Sequence, residues 1–171
     1  MRTFIACPVE RNSLSEEILY DLSQIKGVSP VRTPELHITL HFIGDTSENV
    51  ATDIKIGLIK LRFPAFRVEM SGVGCFPSAK SPRVIFIGVK GFQEDLYDAT
   101  MKAAGMESFD RKFVPHITIA RIRQAVDIRN LLKKYEGVRF GFPEINRVCY
   151  YRSALKPGGP VYTEITCVQL M

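Results

Sequence analysis

Apolar and polar residues alternate along this chain in a pattern that predicts strands and helices in turn. In the first half we expect strands at residues 2–9, 36–44 and 66–76, with helices at 13–27 and 47–62 between them. Ser13 or Ser15 would cap the first helix and Gly27 would end it, while Ser47 would cap the second. The glycines of the third strand predict a bulge.

The same order of elements then begins again. We expect strands at 83–90 and 115–122, helices at 92–105 and 126–137, and closing strands at 144–154 and 161–170 around a KPGGP turn. The tripeptide His-Ile-Thr occurs in both halves, at positions 37 and 116, which are 79 residues apart. The pattern therefore predicts an internal duplication with halves of about 1–79 and 80–171. The expected fold is α+β, one domain over 1–171 with two pseudo-symmetric lobes of mostly antiparallel sheet and outer helices around a central cleft.

Each His-Ile-Thr sequence gives its strand one polar and one apolar face. The histidine (His37 or His116) and the threonine two residues later (Thr39 or Thr118) share a face, because side chains alternate along a strand. A two-fold relation between the lobes would bring both polar pairs into the cleft. Two imidazoles can then supply one proton donor and one proton acceptor near neutral pH, and two hydroxyls can bind the oxygens of a phosphodiester.

Three other interpretations of these histidines are open. The spacing of His37 and His41 equals that of helical zinc ligands, but in a strand it separates them by roughly 13 Å, so we expect no metal. A serine or cysteine nucleophile has no G-x-S-x-G motif to support it. Both histidines could also be ordinary hydrogen-bonded core residues, although the repeated pairing with threonine favours a functional site.

Composition limits the compartment and the partner. The 171 residues include four single cysteines without a C-x-x-C pair, which we expect to be buried free thiols in a reducing compartment. No apolar run approaches the roughly 20 residues that a membrane span needs, and no signal peptide is visible, so we expect a cytoplasmic protein without a membrane partner. The net charge of +5 is compatible with an anionic partner such as RNA.

Several segments together carry a resemblance to a known family. PELHITLHFIGD, GVGCFPS, RVIFIGV, FVPHITIAR and RSALKPGGPVYTEI resemble the two-histidine phosphoesterases, and within them the bacterial and archaeal RNA 2′,3′-cyclic phosphodiesterases, also described as 2′-5′ RNA ligases. The likeness covers nearly the whole chain in order. One difference is Phe86, where many relatives carry tryptophan, and we interpret it as a change in packing.

The resemblance implies a specific reaction and specific residues. It implies hydrolysis of an RNA 2′,3′-cyclic phosphate end, tRNA fragments among the candidates, to a 2′-phosphomonoester without metal or cofactor. His37 is the expected proton donor and His116 the expected proton acceptor, although the symmetric motif leaves the reverse assignment open. Thr39 and Thr118 correspond to the phosphate-binding threonines. The reverse reaction would join a 5′-hydroxyl RNA end through a 2′-5′ linkage.

Arg121 and the assembly are the remaining expectations. Arg121 ends the sequence HITIAR and is a candidate for binding the substrate, although regular alternation puts it on the face opposite His116. A monomer is expected, although the sequence itself is silent on the oligomeric state. A non-catalytic module that binds RNA ends and a cyclic phosphodiesterase acting on a small nucleotide are the alternative functions.

Overall fold

The computed structural model describes residues 1–106 and 112–171, which form four helices and eleven strands. The strands are β1 (Arg2–Val9), β2 (Val28–Pro30), β3 (Leu36–Asp45), β4 (Phe66–Arg67), β5 (Glu69–Phe76), β6 (Val84–Lys90), β7 (His116–Ile122), β8 (Arg139–Gly141), β9 (Glu144–Ile145), β10 (Arg147–Lys156) and β11 (Gly159–Gln169). The helices are α1 (Ser13–Ser23), α2 (Glu48–Leu58), α3 (Glu94–Ala103) and α4 (Arg129–Lys134). The expected α+β class is confirmed.

Nine strands form one antiparallel sheet with a narrow centre. The order is β11-β10-β1-β3-β7-β6-β5-β8, and β2 adds to β7 beside β3. The central strands β3 and β7 pair at a single position, where Ile38 faces Ile117. The two lobes are therefore the two sides of one sheet, joined at the strands that carry the His-Ile-Thr sequences.

The lobes exchange strands between the two sequence halves. From the centre outwards, one lobe contains β3, β1, β10 and β11, and the other contains β7, β6, β5 and β8. Strand β5 comes from the first half of the chain but lies in the lobe of β6 and β7, whereas β10 comes from the second half and lies beside β1. This arrangement is what two interlocked copies of one unit would give, and the duplication itself stays a prediction.

The helices cover one face of the sheet and leave the other open. Buried residues of the strands, including Ile5, Ile38 and Ile117, belong to the same apolar core as Ile18 of α1 and Leu96 of α3. Burial of this face fixes the register, since a shift of one residue would turn the polar side chains of each strand into the core. No described helix is long and apolar enough to span a membrane.

Local signals explain where the helices begin and why two of them approach closely. Asn12 caps α1 through the backbone of Ser15, whose hydroxyl accepts from the backbone N–H of Asn12, so neither predicted serine is the cap itself. Ser47 caps α2 as predicted. Gly57 within α2 lies against α3, where an added Cβ would meet the carbonyl oxygen of Ala103. The glycine that weakens the helical pattern therefore permits the helix–helix contact.

The element boundaries differ from the predicted ones mainly at helix ends. All four helices end two to four residues earlier than predicted, and α3 and α4 also begin two and three residues later. The predicted bulge in β5 is confirmed at Gly72, where the pairing with β6 shifts and φ is 72°. The short strands β2 and β8 were not predicted, since three residues carry too little periodicity. The strands predicted at 66–76 and 144–154 are each divided in two, the first into β4 and β5 and the second into β9 and β10.

The expectation of four free thiols is wrong for two of the cysteines. Cys149 and Cys167 face each other on β10 and β11 and form a disulfide, with their Cα atoms 4.1 Å apart. Cys7 is buried and free, and burial raises the pKa of its thiol. Cys75 is a partly buried free thiol. A disulfide is more typical of oxidising compartments, so the structure adds no support to the cytoplasmic location that was expected from the sequence.

Candidate active site

The pairing of Ile38 with Ile117 brings both His-Ile-Thr sequences onto one patch of the sheet. In that antiparallel register His37 lies opposite Thr118 and Thr39 lies opposite His116, all on the face away from the helices. Directly opposed residues have Cβ atoms about 4.5–5.5 Å apart and diagonal ones about 7–8 Å, which is the relation of the two histidines. All four side chains line a single cleft. The expected convergence of two imidazoles and two hydroxyls is therefore present.

A bulge turns Arg121 into this cleft. Ile85 pairs with Ala120 whereas Phe86 pairs with Thr118, so Ile119 is an extra residue that reverses the alternation after it. Arg121 lines the cleft as a result. The expectation from regular alternation, which put Arg121 on the opposite face, is wrong for this reason.

The first strand has a bulge at the equivalent position. Leu40 of β3 has no partner on β1, because Thr39 pairs with Ala6 and the next pair is His41 with Ile5. Phe42 then pairs with Phe4, the two rings stack with centroids 5.4 Å apart, and both line the cleft. Phe42 is thus the counterpart of Arg121, and an apolar ring stands where the other strand has a cation.

Aromatic rings enclose His37 and lower its basicity. Its ring centroid lies 5.5 Å from that of Phe4 and 5.4 Å from that of Tyr162 on β11. Burial, followed by the positive charge of Arg121 and by His116, lowers the pKa of His37 to about 4. No hydrogen bond joins its ring nitrogens to a described residue, so both remain available to a ligand. In the unliganded protein His37 is a neutral imidazole at pH 7.

His116 has a different environment. Its ring packs edge-on against Phe76 and Phe86, with centroid distances of 5.2 and 5.4 Å. Its Nδ1 lies 2.9 Å from the carbonyl oxygen of Val114, and because a carbonyl only accepts, Nδ1 carries the hydrogen. In the neutral ring this leaves the Nε2 lone pair free to accept a proton.

The two threonines are available for a ligand. Neither hydroxyl, of Thr39 or of Thr118, has a hydrogen-bond partner among residues 1–106 and 112–171, and both side chains are partly exposed in the cleft. Each lies between the imidazoles in the register described above. A hydroxyl in this position can donate to an oxygen of a bound anion.

The cleft is large and its described lining is basic. Its volume is about 1030 Å³, and four cations line it together with the histidines, namely Arg32, Lys112, Arg121 and Arg123. No acidic residue of the described chain contributes to the lining. A neighbouring cavity of about 520 Å³ is less uniform, since Glu35 and Glu164 line it together with Lys156. The field of the main cleft therefore favours an anion with several charges.

His41 does not belong to the polar pair of its strand. The bulge at Leu40 sets it opposite Ile5, a core residue, so it does not share the face of His37 as regular alternation along the strand would require. It still contributes to the edge of the cleft, and burial lowers its pKa. His37 and His41 are four residues apart on a strand, so their side chains do not lie side by side as they would on a helix.

One group of side chains in the described ranges has metal-ligand character. The sulfurs of Cys149 and Cys167 and a carboxylate oxygen of Glu164 lie within 4.8 Å of one another. The two sulfurs are joined as a disulfide, which leaves no thiolate for a metal. None of these three residues lines the cleft that holds both histidines. Glu164 lines the neighbouring cavity.

The arrangement is suited to acid–base chemistry on an anion. It contains an imidazole with a free Nε2 lone pair, a second imidazole that is neutral until a negative charge arrives, two hydroxyl donors and a nearby guanidinium. Sequence reasoning found these residues but missed the enclosing rings. Tyr162 reaches the site from the last strand of the chain, and only the pairing of β10 with both β1 and β11 brings it there.

Comparisons with known proteins cover both strands that carry the His-Ile-Thr sequences, β3 and β7. A sequence model of the family described as LigT like Phosphoesterase matches residues 9–86 and 90–162. An RNA 2′,3′-cyclic phosphodiesterase of Archaeoglobus fulgidus is 34% identical over 175 residues, which cover 96% of this chain and 98% of that protein. The crystal structure of TT0787 of Thermus thermophilus has a TM-score of 0.75 and 27% identity, covering 99% of this chain and 97% of its own. Escherichia coli LigT complexed with 3′-AMP shares the fold with a TM-score of 0.75, at 23% identity and with coverage of 99% and 97%.

Proposed function

Because the chain belongs to the LigT-like phosphoesterase family, we propose that it hydrolyses the 2′,3′-cyclic phosphate end of an RNA to a 2′-phosphomonoester. The observation that carries the proposal is the convergence of His37, Thr39, His116 and Thr118 on one patch of the cleft. The names of the curated relatives supply the substrate class, since they are RNA 2′,3′-cyclic phosphodiesterases over most of this chain's length.

In this mechanism His116 is the proton acceptor. Its Nε2 takes a proton from a water molecule while the water oxygen bonds to phosphorus. The hydrogen bond from Nδ1 to Val114 holds the ring in the tautomer that this step needs. The same hydrogen bond stabilises the imidazolium that forms, because the carbonyl continues to accept from Nδ1.

His37 is the proton donor. As the bond between phosphorus and the 3′ oxygen breaks, His37 gives its proton to that oxygen, and the phosphate stays on the 2′ oxygen. The depressed pKa of about 4 means that His37 must gain its proton together with the substrate. The negative charge of the phosphodiester supplies the cause, because an anion beside an imidazole raises its pKa. The departing oxygen becomes basic as its bond to phosphorus breaks, and it then takes the proton from the imidazolium.

Thr39, Thr118 and Arg121 stabilise the phosphate. The threonine hydroxyls donate to the non-bridging oxygens, whose negative charge grows as water attacks. Arg121 lines the cleft near His37 and contributes positive charge to the bound anion. These groups and the two imidazoles account for every charge change in the reaction, so we propose that no metal or cofactor takes part.

The 2′-5′ RNA ligation that the resemblance implies would use the same groups in the same roles. A 5′-hydroxyl of a second RNA in the position of water would attack the cyclic phosphate and form a 2′-5′ linkage. His116 would accept the proton of that hydroxyl, and His37 would again protonate the 3′ oxygen. We propose that hydrolysis dominates wherever water outcompetes the RNA hydroxyl.

The experiment is hydrolysis of an oligonucleotide that ends in a 2′,3′-cyclic phosphate, with the product compared to authentic 2′- and 3′-phosphate standards. Purified protein should give the 2′-phosphate at an unchanged rate in EDTA. His37→Ala and His116→Ala should each lose about 10²–10⁴-fold in rate, the usual contribution of an acid or base. His41→Ala is the matched control, because it removes the one histidine outside the two His-Ile-Thr sequences, which lies opposite the core residue Ile5, and it should keep its activity.

Other outcomes identify the other functions. Full activity in either His37→Ala or His116→Ala would remove the mechanism. Binding of the RNA end without product would indicate a module that binds ends but does not turn them over. Inhibition by EDTA would contradict the metal-independent part of the proposal. Circular dichroism of each variant separates lost chemistry from lost folding.

A further inference from the structure

The cleft has a second basic region beyond the four polar side chains. Arg123 follows β7 immediately and lies on the same side as Arg121, because residues two apart on an extended chain share a face. Their backbones are about 6.6 Å apart at roughly 3.3 Å per residue. Positive charge therefore extends from His116 and Thr118 past the end of β7 to Arg123.

Contacts of its backbone and side chain hold Arg123 in this position. Its backbone N–H donates to the carbonyl oxygen of Gly27 at 2.7 Å, and its Nε makes a long 3.4 Å contact with the hydroxyl of Ser29. Ser29 itself pairs with Arg121 across β2 and β7 and lines the cleft. The loop is close-packed here, since an added Cβ at Gly27 would meet the side chain of Gln124 at 2.3 Å. Its fixed backbone reduces the entropy lost when the guanidinium binds a ligand.

The guanidinium nitrogens of Arg123 remain available for an anion. Neither Arg121 nor Arg123 forms an ion pair with a residue in 1–106 or 112–171, and both side chains are exposed. With Nε directed to Ser29, the two terminal nitrogens of Arg123 can donate to one phosphate in parallel. The neighbouring cavity is less suitable for a phosphate, because Glu35 and Glu164 line it together with Arg32 and Lys156.

We propose that Arg123, supported by Ser29, forms a second phosphate site that binds the internal phosphodiester immediately preceding the cyclic end. This inference rests on the proposed function and narrows its substrate class to RNA chains of at least two nucleotides. A cyclic mononucleotide fills only the reactive site. A dinucleotide with a cyclic end also supplies the phosphate that Arg123 recognises.

The experiment compares three substrates in wild-type protein and in Arg123→Gln. They are a cyclic mononucleotide, a dinucleotide with a cyclic end, and the same dinucleotide with an uncharged methylphosphonate as its internal linkage. In the wild type, kcat/KM should be about tenfold higher for the charged dinucleotide than for the other two, equivalent to about 1.4 kcal/mol. In Arg123→Gln the ratio between the charged dinucleotide and the mononucleotide should fall about tenfold. Arg152→Gln removes an exposed arginine outside the cleft and should keep the wild-type ratio.

Two results would overturn the second site. One is equal loss on all three substrates in Arg123→Gln, which would place its effect at the reactive phosphate. The other is a wild-type protein that does not distinguish phosphate from methylphosphonate. If no substrate is hydrolysed, the proposed function fails, and binding still decides the second site. The 2′-phosphorylated dinucleotide should then bind about tenfold more tightly than its methylphosphonate analogue to the wild type, and equally with it to Arg123→Gln. Equal affinity in the wild type would contradict the site.

Discussion

The half of the cleft around His37 and the half around His116 have the same backbone but different surroundings. Each has a histidine and a threonine on one face of a central strand, followed by a bulge at Leu40 or Ile119. Beyond the bulge, the half of the cleft around His37 presents Phe42 and the half around His116 presents Arg121. Two aromatic rings border each histidine, but within residues 1–106 and 112–171 only His116 has a hydrogen bond from Nδ1 to a backbone carbonyl.

This difference indicates how one backbone arrangement can support opposite proton-transfer roles. The shared geometry of strand and bulge sets where the side chains point, and the neighbours set their charge. Around His37, aromatic burial and the cation of Arg121 disfavour the imidazolium until an anion binds. Around His116, the carbonyl of Val114 fixes the tautomer with a free Nε2. The roles of donor and acceptor would therefore follow from the residues outside the repeated tripeptide.

The two threonines offer the largest test of what the halves share. Thr39→Val and Thr118→Val each remove one hydroxyl donor to the phosphate, and each should lower kcat by about 10²–10³-fold, the usual cost of losing a donor to a developing oxyanion. Thr163→Val on β11 lies outside the cleft and serves as the control. Losses of similar size in both variants would support equivalent positions. A normal kcat in either one would show that its half does not bind the phosphate as proposed.

The pH dependence of stability should separate the two halves next. The folded pKa of His37 is about 4, below the value of about 6.5 for an unfolded histidine, so the unfolded chain binds more protons between these values. The contribution of His37 to stability is complete above pH 6.5 and decreases as the pH falls towards 4. We expect wild-type protein to lose about 2 kcal/mol more than His37→Gln between pH 8 and pH 5. Denaturant unfolding at the two pH values measures this, and parallel losses would show that His37 is not held in its neutral form.

Exchanging the residues after the bulges should have a smaller effect. Arg121→Phe makes the second half resemble the first, and we expect it to raise KM about tenfold because one charged contact to the phosphate is lost, about 1.4 kcal/mol. The pKa of His37, followed by NMR, should rise because a neighbouring cation is removed. Phe42→Leu keeps an apolar residue in the first half and should change KM less. An unchanged pKa of His37 in Arg121→Phe would contradict the coupling between the halves.

Much of this site could be predicted from the regular alternation of the sequence. Strand alternation puts His37 with Thr39 and His116 with Thr118, and the repeated order of elements makes their meeting expected. The helices follow from their periodicity and from Ser47, although Asn12 takes the role expected of a serine in α1. These features depend on residues close together in sequence.

The missed features depend on pairing between distant strands. The bulge at Ile119 reverses the face of Arg121, and no residue type in HITIAR marks it. Tyr162 reaches His37 only because β10 and β11 add to the lobe of β1.

The disulfide could have been found, since Cys149 and Cys167 lie almost symmetrically about the predicted KPGGP turn and so face each other in a hairpin.

In the proposed mechanism His37 gives a proton to the leaving 3′ oxygen and His116 takes one from water. The most direct measurement is the hydrolysis rate of a cyclic phosphorothiolate in which sulfur replaces the bridging 3′ oxygen, compared with the ordinary cyclic phosphate. Sulfur leaves without a proton, so His37→Ala should regain most of its lost activity on the sulfur substrate, while His116→Ala should remain inactive on both. Recovery in His116→Ala instead would reverse the two roles. Recovery in neither variant would contradict the division of labour between the two histidines.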